Sequence, residues 1–371
     1  MRILLAGTFA GVNAQGGATW AVAQYVLGLA DLGHDVILVE PVERSPEVAA
    51  YFTRATAALG LVGRAALVHP DRSATGLDYS ALIAWAKTSD LLLNLAGVLT
   101  DQELLGPSAS RVYVDLDPGF TQLWQAVEGV DMGFSGHDRF VTVGQAVGTP
   151  GSTVPTCGLT WTTTLPPVVL SAWPAITTPA VYGVTTVANW RSYGSICHGG
   201  VHFGQKAHSI RQLTDLPRRV PGAIFEPALA IDSGELRDIA ALNLNGWQLL
   251  DPARVTASPD GYREFVQQSL AEIGVAKSGY VNSHCGWFSD RSACYLASGR
   301  PVVAQDTGWP SYLPSGSGLL TFSDGAGAAD ALAQILGNYR HHAEAARAIA
   351  CELLDSRRVL STLLDRVGVG A

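Results

Sequence analysis

Lysine is almost missing from this chain of 371 residues: only Lys87, Lys206 and Lys277 occur, within 24 basic residues set against 32 acidic ones. The formal charge is −8 and no sustained basic run exists, so little is available to neutralise a phosphate backbone and no nucleic-acid partner is expected. The five cysteines (Cys157, Cys197, Cys285, Cys294 and Cys351) are odd in number and scattered, with no C-x-x-C and no zinc-like spacing. Neither a disulfide framework nor a metal site is therefore expected. Long apolar runs are also missing: none approaches the roughly 20 residues of a membrane span. The opening Met-Arg-Ile-Leu-Leu-Ala-Gly turns polar before a secretory h-region is complete, which makes a soluble, cytoplasmic location the expectation. Charged residues make up 15% and hydrophobic ones 47%, a balance that favours buried α/β sheets over a coiled coil or a disordered chain.

What is present alternates strands with helices. An apolar strand at 2–6 leads into a loop holding Gly7, Gly11, Gly16 and Gly17, then a helix over 18–32 closed by Gly33, then a strand at 35–39. Further strands are read at 90–96, 111–115 and 139–143. A Thr- and Pro-rich stretch follows, and a second series begins: strands at 182–188, 223–230, 278–283, 301–304 and 318–322, and helices at 259–273, 289–297 and 326–336. The segment 341–367 reads as helical. Alternation of this kind builds parallel, doubly wound sheets. The expected organisation is α/β: a first Rossmann-like domain over 1–165, a linker over 166–180, a second over 181–345, and a final helix over 346–371 that packs back on the first domain.

The densest signal runs from Gly286 to Gly308. A strand, a short aromatic and glycine-bearing loop, a helix closed by Gly299, and a second apolar strand ending in Gln305-Asp-Thr-Gly308 make a βαβ unit. Ligands of such sheets gather at strand carboxyl ends and helix N-termini. Backbone amides near Ser289 and Asp290 can cap a diphosphate, although Ser289 as an N-cap and Asp290 as a first-turn charge are ordinary helix chemistry as well. The first loop does not match G-x-G-x-x-G, so Glu40 at the end of the second strand does not make a convincing NAD site.

The stretch Trp287-Phe-Ser-Asp-Arg-Ser-Ala-Cys-Tyr-Leu-Ala-Ser-Gly-Arg-Pro-Val-Val303 resembles the donor half of GT-B glycosyltransferases, in particular a group of bacterial GT-B glycosyltransferase-like proteins. Asp115-Leu-Asp-Pro-Gly-Phe-Thr121, Ser135-Gly-His-Asp138 and the Leu-Gly-His-Asp-Val at 32–36 extend the similarity over most of the chain. The resemblance implies two Rossmann-like domains facing a cleft, and transfer of a sugar from a nucleoside diphosphate, such as a UDP- or dTDP-sugar, to a small acceptor. It implies no cofactor and no metal ion. Gly11, Asn13, Gln15, Gly16 and Gly17 would line the cleft, and Arg191 and Lys206 would grip the diphosphate. His284-Cys-Gly-Trp287 is similar to a motif of plant-type UDP-sugar transferases, which would put His284, Gly286 and Trp287 on the donor.

One departure carries weight. Retaining GT-B enzymes hold two glutamates eight positions apart around this helix, and alignment on Gly299-x-Pro301 puts Gly286 and Cys294 there. The ribose contact then falls to Asp290, Asp306 or Glu226, with Thr307 beside it, and an inverting course is expected. Its base is sought on the first domain, at His137 or Asp138, or at Asp115 or Asp117. Trp20, Trp124, Tyr113 and Phe120 are candidates to stack on an acceptor. A nucleotide-sugar epimerase, a non-catalytic partner protein of the same shape and a homodimeric assembly remain open.

Overall fold

The computed structural model describes residues 1–12 and 14–369. Its first half is built on an eight-stranded sheet. In chain order the strands are β1 (Arg2–Ala6), β2 (Asp35–Pro41), β3 (Ala65–Val68), β4 (Ala74–Gly76), β5 (Leu91–Leu95), β6 (Ser110–Asp115), β7 (Arg139–Thr142) and β8 (Trp161–Thr163). Their spatial order is β4-β3-β2-β1-β5-β6-β7-β8, parallel throughout except for the edge strand β4. Strands such as β5, Leu-Leu-Leu-Asn-Leu, are buried along their whole length because helices cover both faces of a parallel sheet. The short strands β3, β4 and β8 are absent from the sequence reading, as three or four residues carry too little periodicity to register.

The second half holds β9 (Tyr182–Thr185), β10 (Val187–Asn189), a β11 (Ile196–His198) and β12 (Val201–Phe203) hairpin, β13 (Ala228–Ala230), β14 (Ser269–Gly274), β15 (Val302–Gln305) and β16 (Leu319–Phe322). Four of these pair in the order β16-β15-β14-β9, all parallel, while β10 continues past Thr186 to pair with β13.

One expected element has the opposite character. Residues 278–283 are not a strand but a short helix, Ser278–Ser283, and the strand lies earlier, at Ser269–Gly274. The helix expected over 259–273 stops at Gln268. Leu270, Ala271 and Glu272 are good helix formers, but β9 and β15 offer ladders on both sides, with Glu272 opposite both Thr185 and Val302. Parallel pairing in the centre of a sheet outweighs local propensity of a few tenths of a kcal/mol per residue.

The halves are held together along one seam. Gly144 and Trp287 form an antiparallel bridge. Ala146 N–H donates to Cys285 O at 2.9 Å, and Thr153 N–H to Ser283 O at 3.1 Å. The Pro-rich stretch between the halves is packed: Val168 N–H donates to Leu354 O at 2.8 Å, and Trp173 is fully buried edge-to-face with Trp20, ring centroids 5.0 Å apart. The last helix, Ser356–Arg366, lies on the helix Gly16–Asp31, where Gly28 leaves room for Leu360 and Ser356.

Candidate functional site

A cavity of about 300 Å³ opens between the halves. From the first half, Gln15, Gly17, Ala18 and Ala21 at the start of the helix Gly16–Asp31 form one wall. From the second, Val187, Ala188 and Asn189 of β10, Ala230 at the end of β13, Pro252, Thr256 and Tyr262 form the other. Lys206 opens the helix Lys206–Arg211, and Asp290 and Arg291 open the helix Asp290–Ala297; all three line the cavity. The position, at strand carboxyl ends and helix N-termini, is where α/β sheets bind ligands.

Two cations dominate it. Among the described residues Lys206 Nζ has no hydrogen bond or ion pair, and burial, then Arg291 and Lys277, lower its pKa to about 7. Arg291 is held from behind: its Nε donates to the carboxylate of Glu272, and its Nη1 donates to Val187 O at 2.9 Å. Glu272 on β14 is fully buried and, among the described residues, serves no other side chain. Burial is the strongest influence and works against the Arg291 charge, but Glu272 together with Tyr262 and Tyr295 still holds its pKa above the usual value. Asp290 is the only carboxylate on this wall, and among the described residues it has no partner.

Several residues expected at the site stand elsewhere. Arg191 turns outward, its Nε 2.6 Å from Glu235 Oε1 on a half-exposed surface. Glu226 accepts from Gly183 N–H at 2.7 Å, near the start of β9 and so at the wrong end of the sheet. His284 is exposed in a left-handed turn (φ +47°) off the cavity wall. Gly286 (φ +73°) lies so close to the other half that a Cβ would sit 2.7 Å from Ala146 N, which makes it a docking glycine. Thr307 Oγ1 donates to Trp287 O at 2.6 Å, and Asp306 accepts from Gly308 N–H at 2.7 Å; both stitch their loop to itself and its neighbour. Ser289 is the N-cap of the Asp290 helix and makes no side-chain cap bond.

The four base candidates fare similarly. Asp115 is fully buried and accepts from Thr121, Gln122, Thr142 and the Asp117 amide at 2.7–2.9 Å, organising the turn after β6. His137 donates from Nδ1 to Gly133 O at 2.9 Å and meets Asn94 at 3.0 Å through Nε2. Asp138 pairs with Arg111 through two oxygens. His137 and Asp138 precede β7, at the amino end of a parallel strand and away from the cleft. Asp117 does reach the second half. Lys277 Nζ is 2.8 Å from its Oδ2, and the hydroxyls of Tyr193 and Tyr280 also meet this carboxylate. The Lys277 ammonium is ringed by Phe120, Tyr193 and Tyr280, 4.3–5.1 Å from their centroids, so this lysine is committed to joining the halves. The inverting course expected from the sequence thus loses three of its four first-domain bases. Trp20, Tyr113 and Phe120 are core, each no more than 1% exposed, and Trp124 packs on Tyr193.

Gln15 and Gly17 reach the cavity as expected, whereas Gly11 gives its amide to the buried Glu40 at 2.8 Å and Asn13 lies outside the described residues. Gly16 N–H donates to Thr256 O at 2.8 Å, and a Cβ there would collide with the Ser258 carbonyl. Gly16→Ala is expected to cost about 1–3 kcal/mol of stability, the range for forced overpacking, read from urea denaturation. An unchanged midpoint would show that this cross-cleft contact is dispensable.

Sequence reasoning missed Arg291, Asn189, Thr256 and Tyr262. A signal existed for Arg291: a cation in the first turn of a helix opposes the macrodipole, and so asks for a buried partner or an anionic ligand.

No protein-family model and no curated protein matches the chain. Solved structures do resemble it over nearly its full length. An α-glucosyltransferase in complex with UDP aligns with TM-score 0.61 and 13% identity, covering 99% of both chains. HepE from Anabaena, in complex with UDP and glucose, gives 0.61 and 10%, again covering 99% of both. AviGT4, a glycosyltransferase involved in avilamycin A biosynthesis, gives 0.57 and 12%, covering 99% of this chain and 97% of its own. With two parallel-rich sheets meeting at a cleft along their carboxyl edges, and this full-length similarity, the chain has the GT-B fold.

Proposed function

We propose that the chain is a glycosyltransferase that moves a sugar from a nucleoside diphosphate, with UDP as the first candidate, to the hydroxyl of a small molecule. The carrying observation is the pair of cations, unpartnered Lys206 and buttressed Arg291, on the wall of an interdomain cavity at a helix N-terminus. UDP in the similar structures supports the choice of nucleotide. One similar α-glucosyltransferase is in complex with UDP and DNA, but the formal charge of −8 here favours a small acceptor.

In the reaction the acceptor oxygen forms a bond to the anomeric carbon while the bond from that carbon to the diphosphate oxygen breaks. The electron pair stays on the diphosphate, whose growing charge falls beside Lys206, Arg291 and the amides of the Asp290 helix. The acceptor proton passes to Asp290, the carboxylate on the wall. Side-chain cations and helix amides do the neutralising, so no divalent ion is invoked.

The lowered Lys206 pKa provides a test. A diphosphate holds the ammonium form, so binding above pH 7 takes up a proton, and UDP affinity falls by roughly tenfold per unit from pH 7 to 9. Calorimetry in excess EDTA, in buffers of different ionisation enthalpy, reads both affinity and proton uptake. Binding that requires added Mg²⁺, or affinity flat over this range, would overturn the assignment.

A further inference from the structure

A second cavity, of about 180 Å³, adjoins the first and shares Ala21 and Asp290 with it. Tyr25 comes from the helix Gly16–Asp31, Leu116 and Val143 follow β6 and β7, Pro166 and Pro167 come from the crossing segment, and Trp287 and Phe288 come from the second half. The lining is thus mostly apolar, and it sits at the carboxyl ends of two first-half strands. Gln24 also touches it, but its amide is already engaged with Val169 N–H at 2.7 Å.

One group in this slot is unsatisfied. Tyr25 is 3% exposed and its hydroxyl has no hydrogen-bond partner. Burial, then the Asp290 charge, raise its pKa, so it stays a hydroxyl able to donate. A buried polar group without a partner costs free energy, and such a group on a cavity wall is accounted for when a ligand completes it. Size narrows the ligand further. A dry cavity of about 150 Å³ lined by apolar side chains holds one benzene. A slot of this volume has room for a single ring.

We propose that this slot is the acceptor subsite and that the acceptor is a monocyclic aromatic molecule. Its ring lies between Trp287 and the Pro166–Pro167 edge, a polar ring substituent meets the Tyr25 hydroxyl, and its reacting hydroxyl points out to Asp290 at the junction with the donor cavity. The orientation follows from the plan of the two cavities: Asp290 is common to both, so a hydroxyl there reaches the donor and the proton acceptor together. This assignment of the acceptor class rests on the donor reading above.

The test uses the full chain and two probes measured separately, UDP by calorimetry and hydroquinone by saturation-transfer NMR and calorimetry. Hydroquinone has a ring of the right size with a hydroxyl at either end. Wild type is expected to bind it, Leu116→Trp to lose binding by filling the slot, and Tyr25→Phe to weaken it about tenfold. Tyr25→Phe is expected to leave affinity for p-cresol, whose methyl end can face residue 25, within about twofold. UDP affinity stays within about twofold in both variants, which shows that they are folded. Wild type that binds UDP and not hydroquinone would overturn the proposal, as would equal hydroquinone affinity in all three proteins. Hydroquinone binding that obeys the variant pattern in a protein that ignores UDP would instead support the ring site and remove the donor reading.

Discussion

Lys206→Met is expected to weaken UDP binding by about 1–3 kcal/mol, the scale of one charge-assisted contact, and to lower kcat/KM by about 10²–10³-fold once a sugar donor is in hand. The second figure is larger because negative charge grows on the leaving diphosphate as the glycosidic bond breaks. The variant should not pay in stability. In the unfolded chain the lysine keeps its proton to about 10.5, whereas the folded one releases it at about 7. Between those values the unfolded state holds more protons, so the unliganded protein becomes more stable as pH rises through the window, and fold stability at pH 7 is hindered by this residue. Methionine removes that linkage, and the melting temperature at pH 7 is expected to hold or rise. Loss of binding with no loss of stability separates a ligand-binding lysine from a structural one. Lys87→Met on the surface and Arg191→Ala, whose guanidinium faces Glu235, serve as controls with UDP affinity within about twofold of wild type. Unaltered affinity in Lys206→Met would sink the donor placement.

Glu272→Ala should produce the largest loss of stability, about 3–5 kcal/mol, because it leaves the buried Arg291 guanidinium without its counter-charge. UDP affinity should fall as well, since Glu272 and Val187 O together fix the direction of the guanidinium. The double variant Glu272→Leu/Arg291→Met should recover much of the stability while leaving UDP binding weak, because apolar packing replaces a desolvated pair without restoring the cation. Equal stability of Glu272→Ala and wild type, by denaturant titration, would mean that the pair is not what holds Arg291.

Both predictions concern residues only half visible in the sequence. Lys206 stood out through scarcity and its place before a helix, and it does line the cavity. The sequence pairs it with Arg191, fifteen positions upstream, whereas the cation that lines the same cavity is Arg291. The difference has a physical source: β10 ends at Asn189, and the chain beyond it leaves the cleft toward Glu235, a turn that no local pattern announces. His137 and Asp138 combine an imidazole with an acid, an attractive pair in one dimension. They nevertheless stand before β7, at the edge of the sheet opposite the cleft, with Arg111 and Asn94 already using them. Glu272, which sets the geometry of the site, was hidden in a segment that reads as helix.

Read alone, the sequence determined the alternation of strands and helices, the helix that begins at Asp290 and the strand after it, while it put the strand before that helix at 278–283 and not at Ser269–Gly274. These are local matters: apolar runs, a terminating glycine and 3.6-residue spacing act over a dozen residues or fewer. It also carried a likeness to GT-B proteins, with which the fold agrees. Tertiary structure alone decided which charges meet. Asp117 finds Lys277 across 160 positions, Arg291 finds Glu272 through the centre of a parallel sheet, and Gly16 finds Thr256 and Ser258 across the cleft. A charged side chain buried among apolar neighbours takes the counter-charge that three-dimensional packing brings within reach, and sequence distance plays no part in that choice.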